Sequence, residues 1–136
     1  MTKPPTTATL TWQGGLKFAA RTGDRAITID GNSQEGPSPV DALAMALAGC
    51  MAVDVVDIVT KGRHQLAALE TTIVGTRADT PPRRFLGFTL HFIVTGEVPA
   101  AAVGRAIQLS HDTYCSVWHS LRQDITFETS FEIRPS

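Results

Sequence analysis

The sequence predicts an α+β domain: an antiparallel sheet of about six strands, a long central helix and a second, shorter helical segment. Three observations predict it. Short stretches alternating polar and apolar residues open and close the chain. One long segment, residues 39–61, carries both a helix start signal and a helix stop signal. Two longer strand-like runs then lead into a second helical stripe, so helices cover one face of a sheet. At 136 residues the chain fits a single domain, 1–136, large enough to bury a core without disulfide staples.

The first third reads as a meander. TATLTW (7–12), LKFAAR (16–21) and AITID (26–30) are strands, joined by a Gln13-Gly14-Gly15 turn and a TGDR turn and closed by Asp30-Gly31. The polar loop NSQEGPSP follows. Ser38 then serves as N-cap, Pro39 suits the first helical position, and Asp41 completes a capping-box pattern. The helix is expected to reach Lys61, with Asp57 paired to Lys61 one turn on and Gly62 as the stop.

This helix changes character along its length. From Ala42 to Val53 it carries no charge on any side, whereas Asp54, Asp57 and Lys61 give its second half a wet face. A helix apolar all round needs cover all round, and one sheet supplies it on one side only. A second copy of the chain is the expected cover, which predicts a homodimer.

Residues 68–78 and 85–97 are expected as two longer strands, joined by a loop containing Pro81 and Pro82. Val98-Pro99 opens a second helix whose apolar stripe is Ala102, Val103, Ala106 and Ile107. The chain turns near 110–113, and Tyr114 to Arg122 is read as a short helix with Cys115 in its first turn. In ITFETSFEI, Ile125, Phe127, Phe131 and Ile133 face one way and the polar residues the other, as in a half-buried strand.

Composition narrows the function classes. Twelve Lys and Arg against thirteen Asp and Glu give a net charge of -1, with no basic run to gather phosphates or anionic lipid. Neither nucleic acid nor a membrane is an expected partner. The start, MTKPPTTATL, has no apolar signal core, and the uncharged stretch 42–53 is too short to span a bilayer, so a cytoplasmic protein is expected.

Cys50 and Cys115 are the two cysteines. In a reducing compartment they seldom form a permanent bridge, and no CxxC spacing marks a zinc site. Two readings stand: inert core thiols, or a redox pair. At the start of a helix Cys115 would feel the positive end of the macrodipole, which favours thiolate; Cys50, in mid-helix among apolar side chains, has no such help. Local physics alone makes Cys115 the easier thiolate. A nucleophilic thiol also needs a cation nearby. Arg21 and Arg25 bracket the first turns of the meander, with Arg63, Arg77, Arg83 and Arg84 as further options.

A competing constellation is His111, Cys115 and His119, spaced four apart, which would align three metal ligands on a continuous helix. Asp112-Thr113 reads as a turn that would break that line. His64 and His91 stand alone. No GxSxG, GxGxxG or HExxH occurs, so serine-hydrolase, dinucleotide and zincin chemistry have no support. Phe85, Phe88, Phe92, Tyr114 and Trp118 form either ordinary core or an apolar pocket.

SPVDALAMALAGCMAVDVV (38–56) followed by TYCSV (113–117) resembles the OsmC/Ohr family of thiol peroxidases, whose two cysteines stand in these contexts. The resemblance runs nearly end to end, from LTWQGGLKF to ITFETSFEI, and is closest to a small OsmC-like branch rather than to the best studied organic hydroperoxide resistance proteins. It implies an intertwined homodimer with two active sites at the subunit interface. Cys50 would be the peroxidatic thiolate and Cys115 the resolving thiol. A thiol such as a dihydrolipoyl group would restore both, with no bound cofactor and no metal. On the nucleophile, the resemblance overrides local physics. It also implies an Arg and a Glu beside the thiolate. Arg21 matches the Arg best, with Arg25 as rival; the Glu is replaced by Val40, and Asp41, one residue later, is either its substitute or only a helix cap.

Overall fold

The computed structural model describes residues 2–136. The chain forms two compact units, residues 1–43 and 44–136.

The first unit is the predicted meander. Strands β1 (Thr9–Trp12), β2 (Lys17–Thr22) and β3 (Arg25–Asp30) pair antiparallel in that order. Gly14 and Gly15 hold positive φ (102° and 55°) at the first turn, which Lys17 N–H closes onto Gly14 O at 3.0 Å. The polar loop after β3 is organised by Asp30. Its carboxylate accepts the N–H groups of Asn32, Gln34 and Glu35 at 2.9, 3.3 and 3.1 Å. Those donors, Asn32 first, hold the carboxyl below its ordinary value of 3.8. Helix α1 (Pro39–Lys61) then starts as its sequence predicts, with Asp41 N–H donating to Ser38 Oγ at 3.1 Å.

In the second unit α1 presents Leu47, Met51, Val55 and Val59, one per turn, as a buried stripe. The predicted Asp57–Lys61 pair forms at 2.9 Å. The helix stop differs by one residue. Arg63, not Gly62, takes the left-handed conformation (φ 64°), because the closing bonds run from His64 N–H to Val59 O (3.3 Å) and from Arg63 N–H to Thr60 O (2.9 Å). This pattern is the Schellman arrangement, and its register puts Arg63 where glycine is favoured.

Strands β4 (Gln65–Arg77), β5 (Phe85–Glu97) and β6 (Thr126–Arg134) form a second sheet with β5 in the centre. The expectation of one antiparallel sheet of six strands is corrected on two counts. There are two sheets of three, and β5 pairs β6 in parallel, Gly87 to Thr126 through Thr95 to Arg134. The direction follows from the connection: α2 (Ala100–Leu109), a π-helical turn at Ser110–Tyr114 and the one-turn helix α3 (Ser116–His119) carry the chain back to the end where β5 began. Phe88, Leu90, Phe92 and Val94 of β5 share the core with the α1 stripe and with Val103, Ala106 and Ile107 of α2. On the other face of β5, His91 bridges to β6 through Ser130 Oγ (2.7 Å) and Glu132 Oε1 (3.2 Å).

Helix α1 leaves an apolar face uncovered. Met45 is 59 % exposed and Val53 67 %, with exposed Gly49 between them. By length and composition alone the helix would cross a bilayer. Its stripe of Leu47, Met51, Val55 and Val59 belongs to the core of this unit.

Candidate active site

Cys50 lies half-buried in mid-α1, beside Gly49 on the uncovered face and one turn before Asp54. Cys115 is fully buried where the π-helical turn ends; its backbone leaves the helical region (φ −72°, ψ 96°) and caps α3. Its N–H donates to Ser110 O at 2.8 Å, and its Sγ accepts the Trp118 N–H at 3.4 Å. The structure brings the two cysteines together, each as a free thiol, near enough that the Cys50 side chain adds to the upward push on the Cys115 thiol.

The environment of Cys115 reverses one expectation. Burial pushes its thiol up from 9.0 to about 11; the Trp118 N–H opposes the rise, and the Cys50 side chain adds to it. The residue is the cap of a helix of four residues rather than part of the first turn of a longer one, so few aligned peptides contribute a dipole. The reading of Cys115 as the easier thiolate is therefore corrected: desolvation outweighs the cap, and Cys115 keeps its proton at neutral pH.

A polar contact that the sequence does not announce joins the segments carrying the two thiols. Ser110 is fully buried, and its Oγ donates to Asp54 Oδ2 at 2.7 Å. Asp54, read from sequence as part of a wet helix face, is thus tied to the start of the π-helical turn. The only sequence signal was its spacing, four residues after Cys50 and on the same side of the helix.

The aromatic residues separate. Phe85, Phe88, Phe92 and Trp118 are buried, Phe85 and Phe88 with ring centroids 4.5 Å apart and Trp118 edge-on to Phe127 at 4.7 Å. They are core, whereas Tyr114, next to Cys115, is exposed. The three-ligand line does not form. The backbone break at Cys115 ends the helix, His111 Nδ1 meets Asp112 Oδ1 at 2.9 Å, and His119 Nε2 meets His111 O at 2.9 Å. Among the described residues no group of three His, Cys, Asp or Glu side chains is placed to hold a metal ion.

Arg21, Arg25 and Asp41 belong to the first unit. Arg21 is exposed near the end of β2, paired in register with Ala26. Arg25 begins β3 and has an exposed partner in Asp24 at 3.3 Å; Arg21 has no ion pair among the described residues. Asp41 is exposed in the first turn of α1, and Val40 beside it is half-buried.

Comparison with known proteins decides the family. Residues 31–130 match the family model described as OsmC-like protein. The chain belongs to the OsmC-like family. It is 40 % identical to Protein YhfA of Escherichia coli (strain K12) over 129 residues, covering 93 % of this chain and 96 % of YhfA. Among solved structures, a hypothetical protein from Aquifex aeolicus VF5 superposes with a TM-score of 0.90 at 22 % identity, covering 98 % of this chain and 99 % of that one. An organic hydroperoxide resistance protein OsmC from Legionella pneumophila shares the fold with a TM-score of 0.70 at 18 % identity, covering 96 % and 99 %.

Proposed function

We propose that this OsmC-like protein is a cytoplasmic, homodimeric thiol peroxidase that reduces organic hydroperoxides. The observation that carries the reading is the meeting of Cys50 and Cys115, thiols from distant segments, with no third thiol in the chain. Two neighbouring free thiols, one fully buried and one half-buried, are the minimum for a cycle of sulfenate and disulfide.

The steps assign roles by environment. Cys115 holds its proton, which leaves attack to Cys50. The Cys50 thiolate attacks the peroxide oxygen; the O–O bond breaks, the alcohol leaves with a proton, and Cys50 becomes a sulfenic acid. Cys115 sulfur then displaces the hydroxyl, its proton departs in the water formed, and the Cys50–Cys115 disulfide results. An external dithiol, such as a dihydrolipoyl group, takes up the oxidation and returns both thiols. Arg21 is the proposed cation for thiolate and peroxide, favoured over Arg25 because Arg25 already has a partner. Asp41 is the weaker candidate, since its backbone already serves the Ser38 cap. A second subunit is the proposed cover for the Met45, Gly49 and Val53 face of α1.

Single-turnover consumption of cumene hydroperoxide tests this reading. Reduced protein should consume about one equivalent per chain, Cys50→Ser none, and Cys115→Ser one equivalent to the Cys50 sulfenic acid, which only a second equivalent over-oxidises. Full consumption by Cys50→Ser would refute the roles.

The uncovered apolar face beside Cys50, together with Val40 in place of the expected Glu, favours one other reading: a non-catalytic binder of an apolar or acyl ligand at the dimer interface. Native mass spectrometry of freshly purified protein separates the two, since a retained ligand without peroxide-dependent thiol loss belongs to the binder alone.

A further inference from the structure

Ser110 is gripped at both ends. Its hydroxyl donates to Asp54 Oδ2 at 2.7 Å, and its carbonyl accepts the Cys115 N–H at 2.8 Å. Asp54 stands one turn after Cys50 on a helix whose Met51 and Val55 are fixed in the core. A continuous path of short contacts therefore runs from the Cys50 turn of α1, through Asp54 and Ser110, to the backbone of Cys115.

The segment that this path holds is the least regular in the unit. A π-helical turn has a wider ring than an α-turn and poorer internal packing, and here it ends in an extended residue. Without an outside anchor such a turn can relax toward α-helical winding, which would rotate Cys115 away from Cys50. A buried serine bonded to a carboxylate is a charge-assisted contact, stronger than a neutral one, and leaving it unmade is costly.

We infer that Asp54 and Ser110 are positioning residues that hold the π-helical turn so that Cys115 sulfur faces Cys50 sulfur for disulfide formation. Neither touches the peroxide. The inference rests on the proposed redox pairing of the two cysteines, and its effect falls on the closing of the disulfide rather than on sulfenate formation.

The test is a thiol–disulfide equilibrium between the reduced full-length protein and oxidised dithiothreitol, read by intact mass. In this exchange two thiol protons and two electrons pass from the cysteine pair to the dithiothreitol disulfide, so no peroxide is needed. Asp54→Ala and Ser110→Ala should each shift the equilibrium toward the open dithiol by about tenfold. Asp54→Asn and Ser110→Thr, which keep an acceptor and a hydroxyl, should stay within about threefold of wild type. Circular dichroism melts identify any variant that fails to fold, and the Asn and Thr variants then still carry the comparison. Equal equilibria for wild type, Asp54→Ala and Ser110→Ala would overturn the inference. A wild type that forms the disulfide with dithiothreitol yet ignores cumene hydroperoxide would instead defeat the peroxidase reading and leave the positioning role standing.

Discussion

The Cys115 thiol, fully buried at the cap of a one-turn helix, neighbours the thiol of Cys50 in the middle of α1. The pair is asymmetric: one sulfur is sealed in the core, and the other sits half-buried at the edge of an uncovered apolar face.

That asymmetry predicts a pH profile. Cys115 titrates at about 11 in the fold against 9.0 when unperturbed, so its alkylation by iodoacetamide in native protein should stay slow until the pH approaches 11. Because its folded value is raised, its contribution to stability is present below pH 9.0 and is lost as the pH rises through about 11. Peptide mapping of alkylated protein reads this directly, and a Cys115 midpoint at or below 9.0 would contradict the burial argument.

Gly49 reports on the missing cover. Apart from α1's own adjacent backbone, nothing among the described residues lies within 4 Å of where its Cβ would be, so a side chain there meets no obstacle from them. If a second subunit packs closely on this face, Gly49→Leu should weaken dimerisation by at least about tenfold in sedimentation equilibrium, as overpacking at a close contact costs about 1–3 kcal/mol. Unchanged association would place the dimer contact elsewhere.

Arg63 carries strain that glycine would relieve. It holds φ 64° at the end of α1, where its neighbour Gly62 does not need its freedom. Arg63→Gly should raise stability by about 0.5–1 kcal/mol, the left-handed penalty less the extra entropy of an unfolded glycine. Urea unfolding measures it, and a loss of stability would point to an unrecognised role for the guanidinium.

Asp30 makes the loop before α1 sensitive to acid. Its carboxyl is held below 3.8 by the Asn32, Glu35 and Gln34 N–H groups, so its contribution is present above 3.8 and is lost as the pH falls through its lower folded value. Asp30→Ala should lower the melting temperature at neutral pH and flatten the acid limb of stability. An identical acid limb in the variant would assign that limb to other carboxylates.

Much of this was readable in the sequence because it is local. Ser38, Pro39 and Asp41 announce the start of α1, and the alternation of 85–97 and 125–133 announces β5 and β6, since caps and periodicity act over a few residues. Strand direction is not local: β6 runs parallel to β5 because the whole 98–125 connection returns the chain to the same end. The shift from Gly62 to Arg63 turns on one residue of hydrogen-bond register. The burial of Cys115 and the contact of Asp54 with Ser110 depend on segments far apart in the chain, and the four-residue spacing of Asp54 from Cys50 does not by itself name the partner. The pairing of the cysteines is what the resemblance to a family implies, and the two free thiols stand as neighbours in the fold.

The most direct test of the central claim is intact mass and free-thiol count after one equivalent of cumene hydroperoxide, on the reduced protein and on both Cys→Ser variants. The account predicts loss of both thiols as one intramolecular Cys50–Cys115 disulfide, with Cys115→Ser stopping at a sulfenate on Cys50. Two thiols still reduced after exposure to the peroxide would contradict it.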